Sequence, residues 1–222
     1  SAVYNWQKVP NNFDSINPLE LINKPPSVQV FMKRPDKTKK PINKGVQHHA
    51  HLPMLFADVK DYSKLSETQK VDFSVNFLGR IGAIIKQFEP RILSKHTHGD
   101  SIFLVFEDVG TAVQLAKAIN KTSSETDWSH YHLPENLLFR ISLDAGPCYS
   151  YLDPIVGKRE FCGAYVVRAA RIEPITPPGE IYASETFVAM AYATGLSGVR
   201  FDYVGQVELP KQYGVVPTFH LR

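Results

Sequence analysis

The order of strand-like and helix-like segments between Leu52 and Gly146 is the feature that most constrains the fold. Short apolar runs bounded by turn residues indicate strands, whereas apolar residues at spacings of three and four indicate helices. In chain order the segments predict the ferredoxin-like βαββαβ core. Right-handed crossovers place the first strand beside the third in the middle of an antiparallel sheet, with helices on one face. The predicted elements are Leu52–Asp58, a helix between Ser66 and Pro90, Arg91–His98, Ser101–Phe106, a helix capped by Asp108, and Leu137–Gly146.

The first predicted helix has a recognisable start and one apolar side. Ser66 followed by Gln69 is typical of a capping box, and Pro90 stops the helix. Beyond the second helix, residues 122–134 are polar and predict a loop. Six apolar residues at helical spacing predict the buried side of the first helix: Val71, Val75, Leu78, Ile81, Ile85 and Phe88.

The remainder of the chain predicts an additional C-terminal αβ and hairpin region, so we predict one α+β domain at residues 51–222. Residues 1–50 contain six prolines, which fix the backbone and remove N–H donors. Residues 1–50 are therefore predicted to form an N-terminal extension, with a short strand at 28–32 and a basic Pro-rich loop at 33–45. The predicted C-terminal elements are a ribbon at 147–153, a turn at 157–159, a helix at 163–172, a strand at 180–183, a helix at 185–193 and a hairpin of strands at 201–209 and 215–221.

Composition narrows the function classes. Hydrophobic residues make up 43% and charged residues 21%, as in ordinary globular proteins. No apolar run reaches the roughly 18 residues of a membrane helix, so we predict no membrane insertion. A net charge of +3 does not predict a nucleic-acid partner, and the basic cluster at 33–44 favours a solvated arm over a nucleic-acid or membrane contact. Neither end resembles a signal peptide, and Cys148 and Cys162 lack a zinc spacing, which favours reduced thiols in a cytoplasmic protein.

Two aspartates stand at the ends of neighbouring predicted strands. Asp58 ends the first strand, and Asp100 lies with Gly99 in the tight turn before the third. Adjacent strands are about 4.8 Å apart, so two such carboxylates can share a pair of divalent cations. Each aspartate taken alone is more often a turn or cap residue. The hypothesis of a metal and nucleotide site therefore depends on the pair and on the landmarks around it.

Six segments, in a fixed order, resemble the class III nucleotide cyclases. Together they cover residues 52–221, which is nearly everything outside the extension. The first two surround the aspartates and read Phe56-Ala57-Asp58-Val59, followed by Tyr62-Ser63, and Thr97-His98-Gly99-Asp100. The others are RISLDAGP at 140–147, GAYVVRAAR at 163–171, PGEI at 178–181 and VGQVEL at 204–209.

The resemblance implies an enzyme that converts a nucleoside triphosphate into its 3′,5′-cyclic monophosphate and pyrophosphate. It implies two divalent cations, Mg²⁺ or Mn²⁺, held by Asp58, Asp100 and the backbone carbonyl of Val59. Backbone N–H groups of residues 59–63, with Tyr62 and Ser63 among them, would bind the phosphates. It also implies a two-fold symmetric homodimer whose active sites are shared between subunits.

The resemblance implies further roles for basic residues. Arg171 matches the transition-state arginine of the family, which would come from the second subunit. Lys211 lies one residue out of step with the phosphate-binding lysine. Val167 replaces the asparagine that orients the ribose, and we predict that the adjacent Arg168 compensates in part as a second catalytic arginine.

The base-reading positions depart from both purine patterns. His96 and Glu160 stand where adenylate cyclases have lysine and aspartate, and where guanylate cyclases have glutamate and typically cysteine. Tyr62 stands where purine cyclases commonly have phenylalanine. The chain is therefore most similar to the bacterial Pycsar pyrimidine cyclases, which implies UTP or CTP as substrate and a second-messenger role in antiphage defence. Two alternatives stay open: a class III adenylate or guanylate cyclase, and a degenerate cyclase-fold regulatory domain that binds a nucleotide without turnover.

Overall fold

The computed structural model describes residues 45–222. The strand predicted at 28–32, nearly all of the basic loop and most of the extension lie outside the described residues. The strands are β1 (Gln47–Val59), β2 (Ile92–His98), β3 (Ser101–Phe106), β4 (Phe139–Leu152), β5 (Arg159–Cys162), β6 (Ile181–Ser184), β7 (Phe201–Leu209) and β8 (Gly214–Leu221). The α-helices are α1 (Glu67–Asp72), α2 (Leu78–Gln87), α3 (Val109–Glu125), α4 (Ala164–Ile172) and α5 (Glu185–Ala193).

Within residues 45–222 the strands form one sheet in the order β2-β3-β1-β4-β6-β8-β7, and β5 pairs with β4. β1 is antiparallel to both β3 and β4, while β4 and β6 run parallel. This arrangement confirms the predicted α+β class, the βαββαβ core and the central position of the first strand beside the third. No helix of this part of the chain is long and apolar enough to cross a membrane.

The alternation of side chains along β1 divides the core between the two faces of the sheet. Leu55 and Ala57 point into the larger cluster, which contains the buried sides of α2, α3 and α5. Met54 and Phe56 point the other way, into a smaller cluster with residues of α4. The helices of the βαββαβ core thus lie on one face, as predicted, and α4 covers the opposite face.

The first predicted helix is interrupted, and the first two residues of its predicted apolar side are not buried. A π-helical segment, Phe73–Phe77, separates α1 from α2. Because this segment is wound more loosely than an α-helix, it rotates the residues before it relative to those after it. Val71 and Val75 are therefore exposed, and Phe73 and Phe77 are fully buried in their place. The predicted capping box is confirmed, since the side chains of Ser66 and Gln69 each accept a hydrogen bond from the other residue's backbone N–H.

Three predicted boundaries are also wrong. α3 continues to Glu125, and a 3-10 turn, Trp128–Tyr131, lies inside the predicted loop at 122–134. The indole of Trp128 is fully buried and donates a 2.9 Å hydrogen bond to the carbonyl of Ser123, so one aromatic residue orders a polar segment. β4 runs without a break through the predicted ribbon, and β5 begins where a turn was predicted, because the two strands pair from Tyr149 to Leu152.

Gly146 seats α4 on the sheet. A Cβ at this position would lie 2.2 Å from the ring of Tyr165, the second residue of α4. The ring therefore packs directly on the backbone of β4, which only glycine permits.

We expect Gly146→Ala to lower the free energy of unfolding by about 1–3 kcal/mol, because an added methyl group overpacks this contact. The matched control is Gly82→Ala in α2, where the added Cβ meets nothing within 4 Å. That control should be neutral or stabilising by up to about 1 kcal/mol, because alanine favours helix more than glycine does. Urea denaturation of both variants measures the difference. Equal stability of the two variants would contradict the account of the Tyr165 contact.

Candidate active site

The structure brings the two predicted metal aspartates to the same end of the sheet. Asp58 is the penultimate residue of β1, and Asp100 lies in the turn between β2 and β3. β1 and β3 are paired up to Ala57 and Ile102, so the residues that follow Ala57 and precede Ile102 are cross-strand neighbours. The hydroxyl of Ser101, next to Asp100, donates a 2.7 Å hydrogen bond to Oδ1 of Asp58.

The two carboxylates are close enough for the charge of Asp58 to affect the ionisation of Asp100. Burial and then the negative charge of Asp58 raise the pKa of Asp100 to about 6. A cation between them would relieve this repulsion, and carboxylate oxygens are the ligands that Mg²⁺ and Mn²⁺ prefer. No group of three or more histidine, cysteine, aspartate or glutamate side chains in residues 45–222 is arranged to hold a metal ion. Two carboxylates nevertheless fit Mg²⁺, which commonly takes its remaining ligands from water and substrate phosphates.

Arg140 also belongs to this site, although its place in the motif at 140–147 did not predict a role for it. It lies opposite Asp58 in the β1–β4 register, and its Nη2 donates a 2.6 Å hydrogen bond to Oδ2 of Asp58. Its Nε lies 2.8 Å from Oε1 of Glu173. The two groups form an ion pair, but the N–H of Nε is not aligned for a hydrogen bond to this oxygen. One guanidinium therefore bridges a predicted metal ligand and a second acidic residue.

Glu173 is the other residue that the sequence analysis missed. It begins the 3-10 turn Glu173–Ile175 directly after α4, and it is only 9% exposed. Burial raises the pKa of its carboxyl to about 7; the charges of Asp58 and Asp100 act in the same direction, and Arg140 opposes them. Two acidic side chains thus contact the guanidinium of Arg140, and the charge of Arg140 also acts on a third, Asp100.

α4 presents its two predicted arginines in different directions. Val167 is 44% exposed, and Arg171 lies one turn later on the same side of the helix. Arg168 instead turns into the protein, where its guanidinium forms an ion pair with Asp144. Within the described chain neither arginine forms an ion pair with Asp58 or Asp100.

The two predicted base-reading residues contact each other. Nε2 of His96 lies 2.7 Å from Oε2 of Glu160 and 3.1 Å from the hydroxyl of Ser94. The imidazole also stacks on the ring of Phe103, at a centroid distance of 6.2 Å. His96 comes from β2 and Glu160 from β5, so the sheet joins two positions 64 residues apart in sequence. Their role in binding a base stays a prediction.

The predicted phosphate-binding residues occupy two separate turns. The ring of Tyr62 packs on Phe73 at a centroid distance of 4.8 Å and lies beside Gly99, next to Asp100. Ser63 is exposed in the same 3-10 turn, Tyr62–Lys64. The backbone N–H of Lys60 donates to the carbonyl of Leu138, so one predicted phosphate donor is used within the fold.

Lys211 lies in the other turn, between β7 and β8. It is exposed and has a left-handed backbone, with φ of 60°. Like those of Tyr62 and Ser63, its predicted contact with phosphate stays a prediction.

Comparison with known proteins identifies the fold. No protein-family model matches the sequence, and no curated protein matches it. Among solved structures, the adenylyl cyclase CyaB from P. aeruginosa is similar, with a TM-score of 0.69 and 18% identity over 81% of this chain and 96% of that chain. The guanylate cyclase domain of RhGC from Catenaria anguillulae, in complex with GTP, has a TM-score of 0.65 and 18% identity over 79% of this chain and 98% of its own. The catalytic core of a rhodopsin-guanylyl cyclase with converted specificity, in complex with ATPαS, has the same TM-score and identity over 80% and 98%. The chain therefore has the fold of adenylyl and guanylyl cyclase catalytic domains.

The raised pKa of Glu173 predicts a pH-dependent stability of the metal-free protein. The folded-state pKa of about 7 exceeds the ordinary value of 4.5, so the stabilising contribution is complete below pH 4.5 and is lost as the pH rises to 7. We expect Glu173→Gln to remove a fall on the order of 2–3 kcal/mol in the free energy of unfolding between pH 4.5 and 8.

Urea denaturation in EDTA at several pH values measures this slope. Glu185→Gln, which changes an exposed glutamate at the start of α5, is the matched control and should keep the wild-type slope. An unchanged slope in Glu173→Gln would show that Glu173 is ionised normally.

Proposed function

We propose that the chain is a metal-dependent nucleotide cyclase, which converts a nucleoside triphosphate into a 3′,5′-cyclic monophosphate and pyrophosphate. The observation that carries the proposal is that Asp58 and Asp100 lie together at one end of the sheet, where burial and then the charge of Asp58 raise the pKa of Asp100 to about 6. An arrangement that holds two carboxylates at this cost is suited to binding cations. The fold shared with adenylyl and guanylyl cyclase domains supports the same activity.

In this reaction the 3′-hydroxyl of the nucleotide loses its proton and attacks the α-phosphorus, and pyrophosphate leaves. Divalent cations, when bound, would neutralise the triphosphate and make the 3′-hydroxyl more acidic. Asp58 and Asp100 would hold them, with the carbonyl of Val59. The residues 59–63 and Lys211 would orient the phosphates through N–H groups and charge.

Arg140 adds a positive charge where the triphosphate would lie. A guanidinium fork matches two phosphate oxygens as well as it matches a carboxylate. Glu173 contacts the Nε side of the same guanidinium, 2.8 Å away, and so limits how far Arg140 can turn from the site. Arg171 would stabilise the charge that develops on the phosphates in the transition state.

Arg171 would reach this charge from a second subunit. It shares the outward side of α4 with Val167, and it makes no ion pair with Asp58 or Asp100 among the described residues. A two-fold symmetric dimer would complete two sites, each with the carboxylates of one chain and the α4 helix of the other.

We assign a pyrimidine nucleotide, UTP or CTP, as the substrate. The contact between His96 and Glu160 supports this assignment. The two side chains would offer the base a hydrogen-bonding pair that neither the adenylate nor the guanylate cyclase pattern contains. Tyr62 lies beside Gly99 and adds a hydroxyl-bearing ring near Asp100, one of the proposed metal ligands. The resemblance to the Pycsar enzymes supports a role for the product as a second messenger in antiphage defence. A purine substrate is the competing assignment, since similar structures contain GTP or ATPαS.

A second candidate function is a regulatory domain that binds a nucleotide without turnover. Val167 favours it, because an exposed valine on the Arg171 side of α4 has no polar atom with which to orient a ribose. The retention of Asp58, Asp100 and Arg171 favours the enzyme.

We expect pyrophosphate release from UTP or CTP in the presence of Mn²⁺ to exceed release from ATP and GTP by at least about tenfold, the factor that corresponds to about 1.4 kcal/mol. Asp100→Asn should reduce release to background, because it removes a metal ligand. The matched control is Asp202→Asn, which changes a partly exposed aspartate of β7. Preference for a purine would contradict the pyrimidine assignment, and nucleotide binding without release would favour the regulatory domain.

We expect mixed dimers of an Asp58→Ala chain and an Arg171→Ala chain to regain activity that neither variant has alone. Such a dimer contains one site with both residues intact, so it should approach half of the wild-type rate per dimer. Co-expression with two affinity tags isolates the mixed dimer for assay. Inactive mixed dimers would show that the site is not shared between subunits.

A further inference from the structure

We propose that Arg168 is a positioning residue and not a catalytic one: its buried ion pair with Asp144 sets the orientation of α4 and so aims Arg171 at the reacting phosphates. This inference rests on the proposed function, in which Arg171 of one chain completes the site of the other. It revises the role of a second catalytic arginine that the sequence predicts for Arg168.

The ion pair is bidentate and inside the protein. Nε of Arg168 donates to Oδ2 of Asp144 at 2.7 Å, and Nη2 donates to Oδ1 at 2.6 Å. The side chain of Asp144 is 0% exposed and that of Arg168 is 16% exposed. Paired N–H donors on a carboxylate form the strongest class of side-chain hydrogen bond, and they fix direction as well as distance.

Asp144 also ties α4 to other elements of the sheet. Its carboxylate accepts hydrogen bonds from the hydroxyls of Ser184, at the end of β6, and Thr186, in α5, and from the backbone N–H of Ala145. Thr186 also accepts a hydrogen bond from Nη2 of Arg168. One buried carboxylate therefore joins β4, β6, α4 and α5.

Arg168 and its neighbours determine how α4 is rotated about its axis. The guanidinium lies over the ring of Tyr165, 4.4 Å from the centroid, and that ring lies against Gly146 of β4. Arg168 and Arg171 are three residues apart, which places their side chains about 60° apart around the helix. A helix held at Tyr165 and Arg168 can present Arg171 in only one direction.

The same contacts argue against direct catalysis by Arg168. To reach a substrate, its guanidinium would have to leave Asp144 as an unpaired charge in a fully buried place, which proteins avoid. Both oxygens of Asp144 and the hydroxyl of Thr186 already occupy the inward side of the guanidinium. The outward side of α4 near the proposed site belongs to Val167 and Arg171.

The test introduces a paired substitution, Asp144→Asn with Arg168→Met, into one chain of the mixed dimer. Removing both charges avoids the unpaired buried carboxylate that Arg168→Met alone would leave. In the Asp58→Ala chain, which supplies Arg171, the paired substitution should lower kcat by about 10- to 100-fold, as expected if Arg171 is displaced by about 1 Å. In the Arg171→Ala chain, which supplies Asp58 and Asp100, it should change kcat less than twofold.

Four distinguishable results would each overturn part of this account. Equal losses in both placements would show a general effect on folding, and no loss in either would show that α4 does not need the pair. The single substitution Asp144→Asn, which keeps Arg168, should lose as much activity as the paired substitution. If removing Arg168 as well caused a further tenfold loss, Arg168 would be a catalytic residue. Inactivity of the mixed dimer before the pair is added would overturn the shared site, and this inference with it.

The matched control is the partly exposed ion pair at the start of β7, between Arg200 just before the strand and Asp202 within it, changed by Arg200→Met with Asp202→Asn. It removes the same charges and should leave kcat unchanged in either chain. Thermal denaturation of every dimer confirms that the chains are folded.

Discussion

The repulsion between Asp58 and Asp100 is the constraint on which the rest of the site depends. The hairpin of β2 and β3 brings Asp100 to the end of β1, where burial and then the charge of Asp58 raise the pKa of Asp100. Arg140 offsets part of the repulsion from the neighbouring strand β4, through its 2.6 Å contact with Asp58. A cation would offset the rest, and it would leave Arg140 available to a phosphate.

The half of the site that we propose for α4 follows a different principle. There Arg171, the arginine proposed to stabilise the transition state, lies on the outward side of the helix, and the buried ion pair of Arg168 holds the helix from inside. Arg171 lies with Val167 on the outward side, while Arg168 is bound to a carboxylate that no water reaches. In the proposed dimer, a helix fixed in orientation would present Arg171 to the partner chain, whose own α4 would fit the reciprocal site at the same time.

The sequence predicted the βαββαβ core with its first strand beside the third, the ends of most elements and the proximity of Asp58 to Asp100, because periodicity and turn residues act locally and the crossover rule restricts the topology. It misplaced Val71 and Val75, since a π-helical segment changes the helical phase without a distinct residue signature. It also missed Glu173, whose importance depends on an arginine 33 positions earlier. Arg140 was visible in a motif, yet its contact with Asp58 becomes apparent only from the register of β1 and β4.

The central claim is that Asp58 and Asp100 together bind the cations of a nucleotide complex. Calorimetric titration of Mn²⁺ in the presence of a 3′-deoxynucleoside triphosphate, which cannot cyclise, tests it without reference to activity. The account predicts two Mn²⁺ ions per site in the wild type, and Mn²⁺ affinity at least about tenfold weaker, or about 1.4 kcal/mol, in both Asp58→Asn and Asp100→Asn. Unchanged stoichiometry and affinity in either variant would contradict it.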